Sequence, residues 1–322
     1  MKHSLALGVL AAAAAAASWS LAYVVPFFIG DYSLFDFALL EFLLSGALSL
    51  GLMWRRADAV RRLEPRDWAM AFALGAIGYA GYFLTVMGAA SYAGPVIAPA
   101  FLGLVPVVLA IAGNVRERTV SWRALMVPLA FATVGLLLVN GGDFARAEAP
   151  QMPSMLLGIA LAGSAVALWT LFGVLNQSAL LGRPQMEADV WTALILVGAG
   201  LAMLIFLPVG LWAGVFEFPR LGLRWNVAAP LFIWAGALAV FANVGGAMAW
   251  TFASQRLPVV LAAQLITMEP VAATVLGLLV HHRLPTVSEV LGMAVLLIGV
   301  LVAVSLFARP APAGGLQAST LN

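Results

Sequence analysis

Long apolar segments follow one another along almost the whole of this 322-residue chain. A helix needs roughly 20 apolar residues to cross the hydrocarbon core of a bilayer. Ten stretches meet this requirement, and short loops connect them. We expect ten transmembrane helices with these approximate bounds: 5–29, 33–54, 68–90, 93–113, 123–140, 154–178, 188–213, 228–251, 257–280 and 286–308.

The composition excludes a water-soluble fold and several kinds of chemistry. Charged residues make up 9% of the chain, whereas a soluble domain carries about a quarter. There is no cysteine, which excludes disulfides and thiolate metal sites, and three histidines are too few for a histidine-rich metal site. We predict an all-α integral membrane protein with no metal, no cofactor and no nucleic-acid partner.

Two halves of the chain resemble each other. When residues 5–25 are laid over residues 155–175, Trp19 meets Trp169 at a constant offset. Further along, ASYAGP at 90–95 matches ASQRLP at 253–258. Because the matches keep the same order, we predict two five-helix copies. The expected boundaries are residues 1–140 for the first copy, 141–153 for an outer linker, 154–308 for the second copy and 309–322 for a disordered cytoplasmic tail.

The first segment, MKHSLALGVLAAAAAAASWSLAYVV, has two interpretations. A charged start, an apolar middle and a small-x-small sequence at 20–22 are typical of a signal peptide. The same residues also suit a retained first span. Since the segment matches an internal segment at 155–175, we predict that it is retained.

The distribution of basic residues predicts the orientation. A copy with five spans is followed by one that enters the membrane from the opposite side, which gives inverted repeats around a central cavity, as in many secondary transporters. With the N-terminus in the cytoplasm, twelve Lys and Arg residues fall in cytoplasmic segments and four fall in outer loops. This asymmetry follows the positive-inside rule. We therefore expect an inner-membrane protein with both termini in the cytoplasm.

The repeat and its motifs resemble a known superfamily. The segments PVVLAIAG…RERTVSWRALMVPLAFATVGLLLV and MEPVAATVLGLLV…LPTVSEVLGMAVLLIGVLVAV, with a tryptophan late in the first span of each copy, resemble the EamA type of the drug/metabolite transporter superfamily. The resemblance covers nearly the whole chain. It implies transport of small molecules, and the tyrosines and tryptophans look most like the branch that exports aromatic and other neutral amino acids.

Aromatic side chains inside the spans are candidates for a substrate cavity. Tyr79 and Tyr82 lie on one face of the third span, beside glycines that leave room for a recess. Trp19 and Trp169 share a repeat position, and Trp250 lies on the eighth span. Each residue has an alternative role in packing between helices.

Four of the polar side chains inside predicted spans are further candidates for the site. Asn243 and Gln264 must each bond a neighbouring helix or face water, because an unpaired polar group in an apolar medium costs several kcal/mol. Glu41 and Glu269 are candidates for proton coupling or for binding an ammonium group. No Lys or Arg lies inside a span, which argues against dianionic substrates.

Prolines cluster in the two equivalent spans four and nine, where broken helices are tolerated if they line protein or water. They either let these spans bend during transport or form fixed kinks. The candidates are Pro95, Pro99, Pro106, Pro258 and Pro270.

We predict a secondary transporter that exports small neutral metabolites, with amino acids including aromatic ones as its substrates, by alternating access. The expected partners are a small-molecule substrate and the lipid bilayer. One alternative is an exporter of drugs or quaternary cations, which aromatic faces can hold. Another alternative, an integral membrane enzyme acting on lipid, requires a cluster of catalytic residues that the sequence does not contain, and we therefore expect no enzyme.

Overall fold

The computed structural model describes residues 2–144 and 152–308. Within these residues the chain forms helices and turns and no β-strand, which confirms the predicted all-α fold. The predicted tail at 309–322 and residues 145–151 of the predicted linker lie outside the described residues.

The first half of the chain contains seven α-helices, two 3-10 turns and one π-helical segment. They are α1 (Lys2–Trp19), two 3-10 turns (Ser20–Tyr23 and Val25–Phe27), α2 (Leu34–Arg55), α3 (Ala57–Val60), α4 (Pro65–Gly75), π1 (Ala76–Gly81), α5 (Tyr82–Leu102), α6 (Val105–Glu117) and α7 (Trp122–Phe144).

The second half contains eight α-helices and one further π-helical segment. They are α8 (Met152–Leu181), α9 (Ala188–Trp212), α10 (Phe218–Leu221), α11 (Trp225–Leu238), π2 (Ala239–Gly246), α12 (Ala247–Ser254), α13 (Val259–Ile266), α14 (Met268–Val280) and α15 (Val287–Ala308).

Nine helical stretches in the described part of the chain are long and apolar enough to cross a membrane. They match the predicted spans except for the fourth, 93–113. There the boundary we expected is wrong in position, because α5 continues to Leu102 and α6 begins only at Val105. Pro95 and Pro99 therefore lie within α5 rather than at the start of a separate span. A transmembrane helix tolerates proline where neighbouring groups bond the backbone carbonyls that it leaves free.

The other predicted prolines lie at helix starts. Pro106 is in the first turn of α6, and Pro270 is in the first turn of α14. Pro258 is the residue that precedes α13 and has an extended backbone conformation. Proline suits these positions because the first amides of a helix have no partner within it. All three residues therefore lie at breaks between helices, and the role predicted for them in bending stays a prediction.

Helices of the two halves pack in equivalent pairs. α1 packs against π2 and α12, and in the same way α8 packs against π1 and α5. Further pairs are α4 with α9 and, equivalently, α11 with α2, together with α2 with α9, α6 with α13, and α7 with α15. Each pair joins one half to the other, so that the interface between the halves runs through the whole molecule.

Small residues allow the closest of these approaches. A Cβ atom added to Gly75 of α4 would lie 2.1 Å from the carbonyl oxygen of Ile195 in α9. One added to Gly198 of α9 would lie 2.6 Å from the Cα of Phe72. Since lipid is as apolar as the helix surfaces, membrane helices gain their packing energy from such close backbone contacts.

Charged groups tie the two halves together at the helix ends. Asp36, in the first turn of α2, accepts a hydrogen bond from the amide of Glu217 at 3.1 Å. Arg56, which follows α2, forms ion pairs with Glu187 and with Asp189 in the first turn of α9. The second membrane helix of each half thus begins at an aspartate that contacts the other half.

Glu117 fixes the end of α6 against the start of α13. Its carboxylate accepts a hydrogen bond from the amide of Val259 at 3.2 Å, at a helix N-terminus that favours negative charge. Partial burial raises the pKa of the Glu117 carboxyl, although this hydrogen bond and the neighbouring Arg116 oppose the shift.

The two π-helical segments occupy equivalent places in the two halves. π1 begins at Ala76 and π2 begins at Ala239, and these positions differ by 163 residues. The matching ASYAGP and ASQRLP motifs begin at Ala90 and Ala253, which differ by the same number. π-helical turns are rare and occur frequently at functional sites. Because both halves have such a segment at the same position, the region around π1 and π2 is a candidate functional site.

Candidate functional site

Five of the aromatic residues predicted from the sequence form one cluster between the halves. The ring of Trp169 lies 5.4 Å from that of Trp19, 6.4 Å from that of Trp250, 6.4 Å from that of Tyr79 and 4.9 Å from that of Tyr82, measured between centroids. Trp19 and Trp250 are 5.6 Å apart. We refer to these five rings as the aromatic cluster.

The two tyrosines of the cluster have different surroundings. Tyr79, in π1, is 6% exposed and also contacts the rings of Phe42 and Phe172. Tyr82, at the start of α5, is half-buried and contacts Trp169. Tyr79 therefore packs inside the protein, whereas Tyr82 has a face that another molecule can reach.

Trp19 is held in place by π2. Its indole nitrogen donates a hydrogen bond to the carbonyl oxygen of Ala242 at 3.1 Å. A Cβ atom added to Gly246 would lie 2.2 Å from Ser18 Oγ and 3.0 Å from Trp19 Nε1, so α1 approaches π2 this closely only because residue 246 is glycine. The position of the Trp19 ring thus depends on the conformation of π2.

Glu41 and Asn243 contact each other across the interface between the halves. The Asn243 side-chain nitrogen donates hydrogen bonds to Glu41 Oε1 and to Ser45 Oγ, each at 2.9 Å. The Ser45 hydroxyl in turn donates to the Glu41 backbone carbonyl at 2.6 Å. All three residues are buried, so Asn243 bonds a neighbouring helix, which was one of the two outcomes expected for it.

Glu269 lies in a more open position than Glu41. It is half-buried in the first turn of α14, and no residue of that helix is fully buried. The side chains of Tyr23 and Tyr82 lie close enough to its carboxyl group to interact with it electrostatically. Because Tyr82 also contacts Trp169, it connects Glu269 to the aromatic cluster.

Two of the predicted cavity residues have a buried donor without a hydrogen-bond partner within the described residues. They are Trp250 Nε1 and Gln264 Nε2. Trp250 also borders a small cavity of about 10 Å³, together with Gln177 and Ser254. A buried polar group without a partner costs about 1–3 kcal/mol, so such donors are suited to bind a molecule that enters the site.

The cluster and its carboxylates have no basic residue among them. In the described chain, Lys and Arg residues occur in loops and at helix ends. No group of three or more His, Asp or Glu side chains in the described residues has an arrangement that could hold a metal ion. The site therefore offers aromatic faces, amide and indole donors and two carboxyl groups to a ligand.

Sequence reasoning missed Tyr23, Phe42, Ser45 and Phe172. The alignment of the halves marks Trp19 and Trp169, but it does not show which way each helix is turned. Tyr23 lies four residues after Trp19 in a 3-10 turn, where helical spacing no longer applies. Phe172 lies one turn after Trp169, and this spacing is the signal that could have included it.

Comparisons with known proteins agree with this architecture. The model of the EamA-like transporter family matches residues 6–141 and again residues 156–305. The chain is 28% identical over 304 residues to the inner membrane protein YtfF of Escherichia coli (strain K12). The match covers 92% of this chain and 94% of that protein.

A solved structure shares the fold. This crystal structure of a protein has a TM-score of 0.74 and 19% sequence identity to this chain, and the match covers 93% of this chain and 96% of the other. At this identity the likeness shows the fold alone. The family match confirms the resemblance predicted from the sequence and points to a transporter rather than an enzyme. The chain therefore belongs to the EamA-like transporter family, as a multi-pass membrane protein.

Proposed function

We propose that this chain exports small neutral metabolites by alternating access, and that amino acids, including aromatic ones, are its substrates. The observation that carries the proposal is the aromatic cluster, which rings from both halves build at the interface between them. In a transporter made of two repeats, substrates bind near the bilayer midplane at the interface between the repeats.

The geometry suggests a role for each group around the substrate. The half-buried ring of Tyr82 offers a stacking surface beside Trp169. Glu269 and Tyr23 lie next to Tyr82 and suit the ammonium group of an amino acid. The unpartnered indole N–H of Trp250 suits the substrate carboxylate. A zwitterion is thus bound at both ends, and its side chain contacts the aromatic rings.

Alternating access requires the two halves to move against each other. The two π-helical segments, the break between α5 and α6 and the break between α13 and α14 are the places where helices can bend. The ion pairs of Arg56 with Glu187 and Asp189 join the halves on the side that we predict to be cytoplasmic. In our proposal these ion pairs separate when the site opens to the cytoplasm.

A second candidate substrate class is organic cations. Tryptophan and tyrosine faces attract cations within about 6 Å of the ring centroid. The cluster has three tryptophans and two tyrosines, with Glu269 beside Tyr82. This combination also suits a quaternary ammonium ion, which has no carboxylate to bind.

Counterflow in liposomes tests both candidates. Purified protein is reconstituted into liposomes that contain an unlabelled amino acid or tetraphenylphosphonium, and uptake of the same labelled compound is measured. We expect counterflow of phenylalanine, tryptophan, alanine and threonine, and none with glucose 6-phosphate. Counterflow of the cation without any amino acid would replace the first candidate by the second. Protein-free liposomes and boiled protein are the controls.

A further inference from the structure

Glu41 is a buried carboxyl group with an incomplete set of partners. It is 2% exposed and lies about two turns into α2. One oxygen, Oε1, accepts the hydrogen bond from Asn243, whereas the other, Oε2, has no partner within the described residues. Oε2 is therefore the atom of this group at which a proton can be held.

No cation faces this carboxyl group. The elements that pack against α2 are α3, α5, α9, α11, π1 and π2. Neither α11 nor π2 contains a titratable or charged side chain. The titratable side chains of the other four elements are Asp58 on α3, Tyr79 on π1, Tyr82 and Tyr92 on α5, and Asp189 on α9.

The charged groups of α2 itself lie at its ends. Asp36 is in its first turn, and Arg55 is its last residue. Arg55 is 14 residues from Glu41, which is about 21 Å along a helix. A charged Glu41 would thus be a buried anion with a single hydrogen bond and no counter-ion. Such an anion costs far more than a neutral acid with one unbonded O–H group, so this conformation holds Glu41 in its protonated form.

The hydrogen bond to Glu41 is connected to the aromatic cluster through π2. Asn243, which donates to Glu41, is adjacent to Ala242, whose carbonyl oxygen accepts the hydrogen bond from Trp19. A change in the conformation of π2 therefore acts on the carboxyl group and on the Trp19 ring together.

We propose that Glu41 is the proton-binding site that couples a proton gradient to transport, with Asn243 as the residue that links its protonation to π2. The proposal rests on the transport function proposed above. One proton enters from water on the outer side and binds at Oε2. When π2 moves and water reaches the carboxyl group from the cytoplasmic side, the same proton leaves. One proton thus crosses inward for each substrate that is exported.

The first test needs no substrate. Tryptophan fluorescence of the purified protein is titrated from pH 5 to pH 10; ten tryptophans contribute to it, and among them Trp19 is hydrogen-bonded to π2. We expect a transition in the wild-type protein and in the control variant Asp58→Asn, and none in Glu41→Gln. The glutamine oxygen still accepts the bond from Asn243, and size-exclusion chromatography verifies folding. A transition that persists in folded Glu41→Gln, or its absence from the wild type, would overturn the proposal.

A second variant keeps the test valid if Glu41→Gln does not fold. Asn243→Ala removes the donor to the carboxyl group, and the midpoint of the transition should then shift by roughly one pH unit, the equivalent of one hydrogen bond. An unchanged midpoint would show that Asn243 does not act on the titrating group, and would contradict the proposal.

Transport provides the final readout. In liposomes with an imposed pH gradient, Glu41→Gln should lose uphill accumulation of substrate and keep counterflow, whereas Asp58→Asn should keep both. Loss of both activities from folded Glu41→Gln would contradict the coupling role. Absence of any flux from the wild type, with the fluorescence transition intact, would refute the transport function and leave the proton site standing.

Discussion

Replacing Tyr82 by alanine tests whether a substrate ring binds in the aromatic cluster. Tyr82 is half-buried, and its ring lies 4.9 Å from that of Trp169. A pair of aromatic rings contributes about 0.5–1.5 kcal/mol beyond its buried area, which corresponds to about a twofold to tenfold change in affinity. Tyr82→Ala should therefore weaken the apparent affinity for phenylalanine and tryptophan by this factor and leave that for alanine and threonine nearly unchanged.

Competition of each amino acid against labelled counterflow in liposomes measures these affinities. The matched control is Tyr92→Ala on the same helix, since Tyr92 is 44% exposed. It should change neither class of substrate. An equal loss for aromatic and small substrates, together with a lower yield of folded protein, would show that Tyr82 only packs against Trp169 and would refute the reasoning.

Three further predictions concern packing, orientation and the ammonium site. Gly75→Ala places a Cβ atom against backbone of α9 and should destabilise the protein by about 1–3 kcal/mol in thermal unfolding, whereas Gly163→Ala, which meets no atom within 4 Å, should not. A cysteine at Asp31 should react with an impermeant thiol reagent from outside the cell and one at Asp58 should not; the opposite labelling would reverse the orientation. Glu269→Gln removes a charged hydrogen-bond partner and should weaken amino-acid affinity about tenfold or more, and unchanged affinity would exclude it from the site.

Much of the fold follows from hydropathy and from the internal repeat. Apolar length predicts the membrane helices because each must satisfy its own backbone within the bilayer. The offset between Trp19 and Trp169 identifies equivalent first helices, and the structure brings both rings together. The boundary near residue 93 could not be predicted, since apolar residues continue on both sides of it and proline does not always end a membrane helix.

The contacts of the site are less predictable than its members. Glu41 and Asn243 are 202 residues apart, and their hydrogen bond depends on how α2 and π2 are rotated about their axes. Hydropathy does not predict this rotation, because almost every face of these helices is apolar. The π-helical segments also have no signal in apolar length.

The location of a bound substrate tests the central proposal most directly. A structure of the protein with 5-bromotryptophan, determined with the anomalous signal of bromine, gives the position of the ring without relying on transport rates. We predict bromine at the aromatic cluster, beside Tyr82 and Trp169, with the ammonium group of the ligand at Glu269. Bromine on the lipid-facing surface alone, with the cluster unchanged, would contradict a substrate site between the two halves.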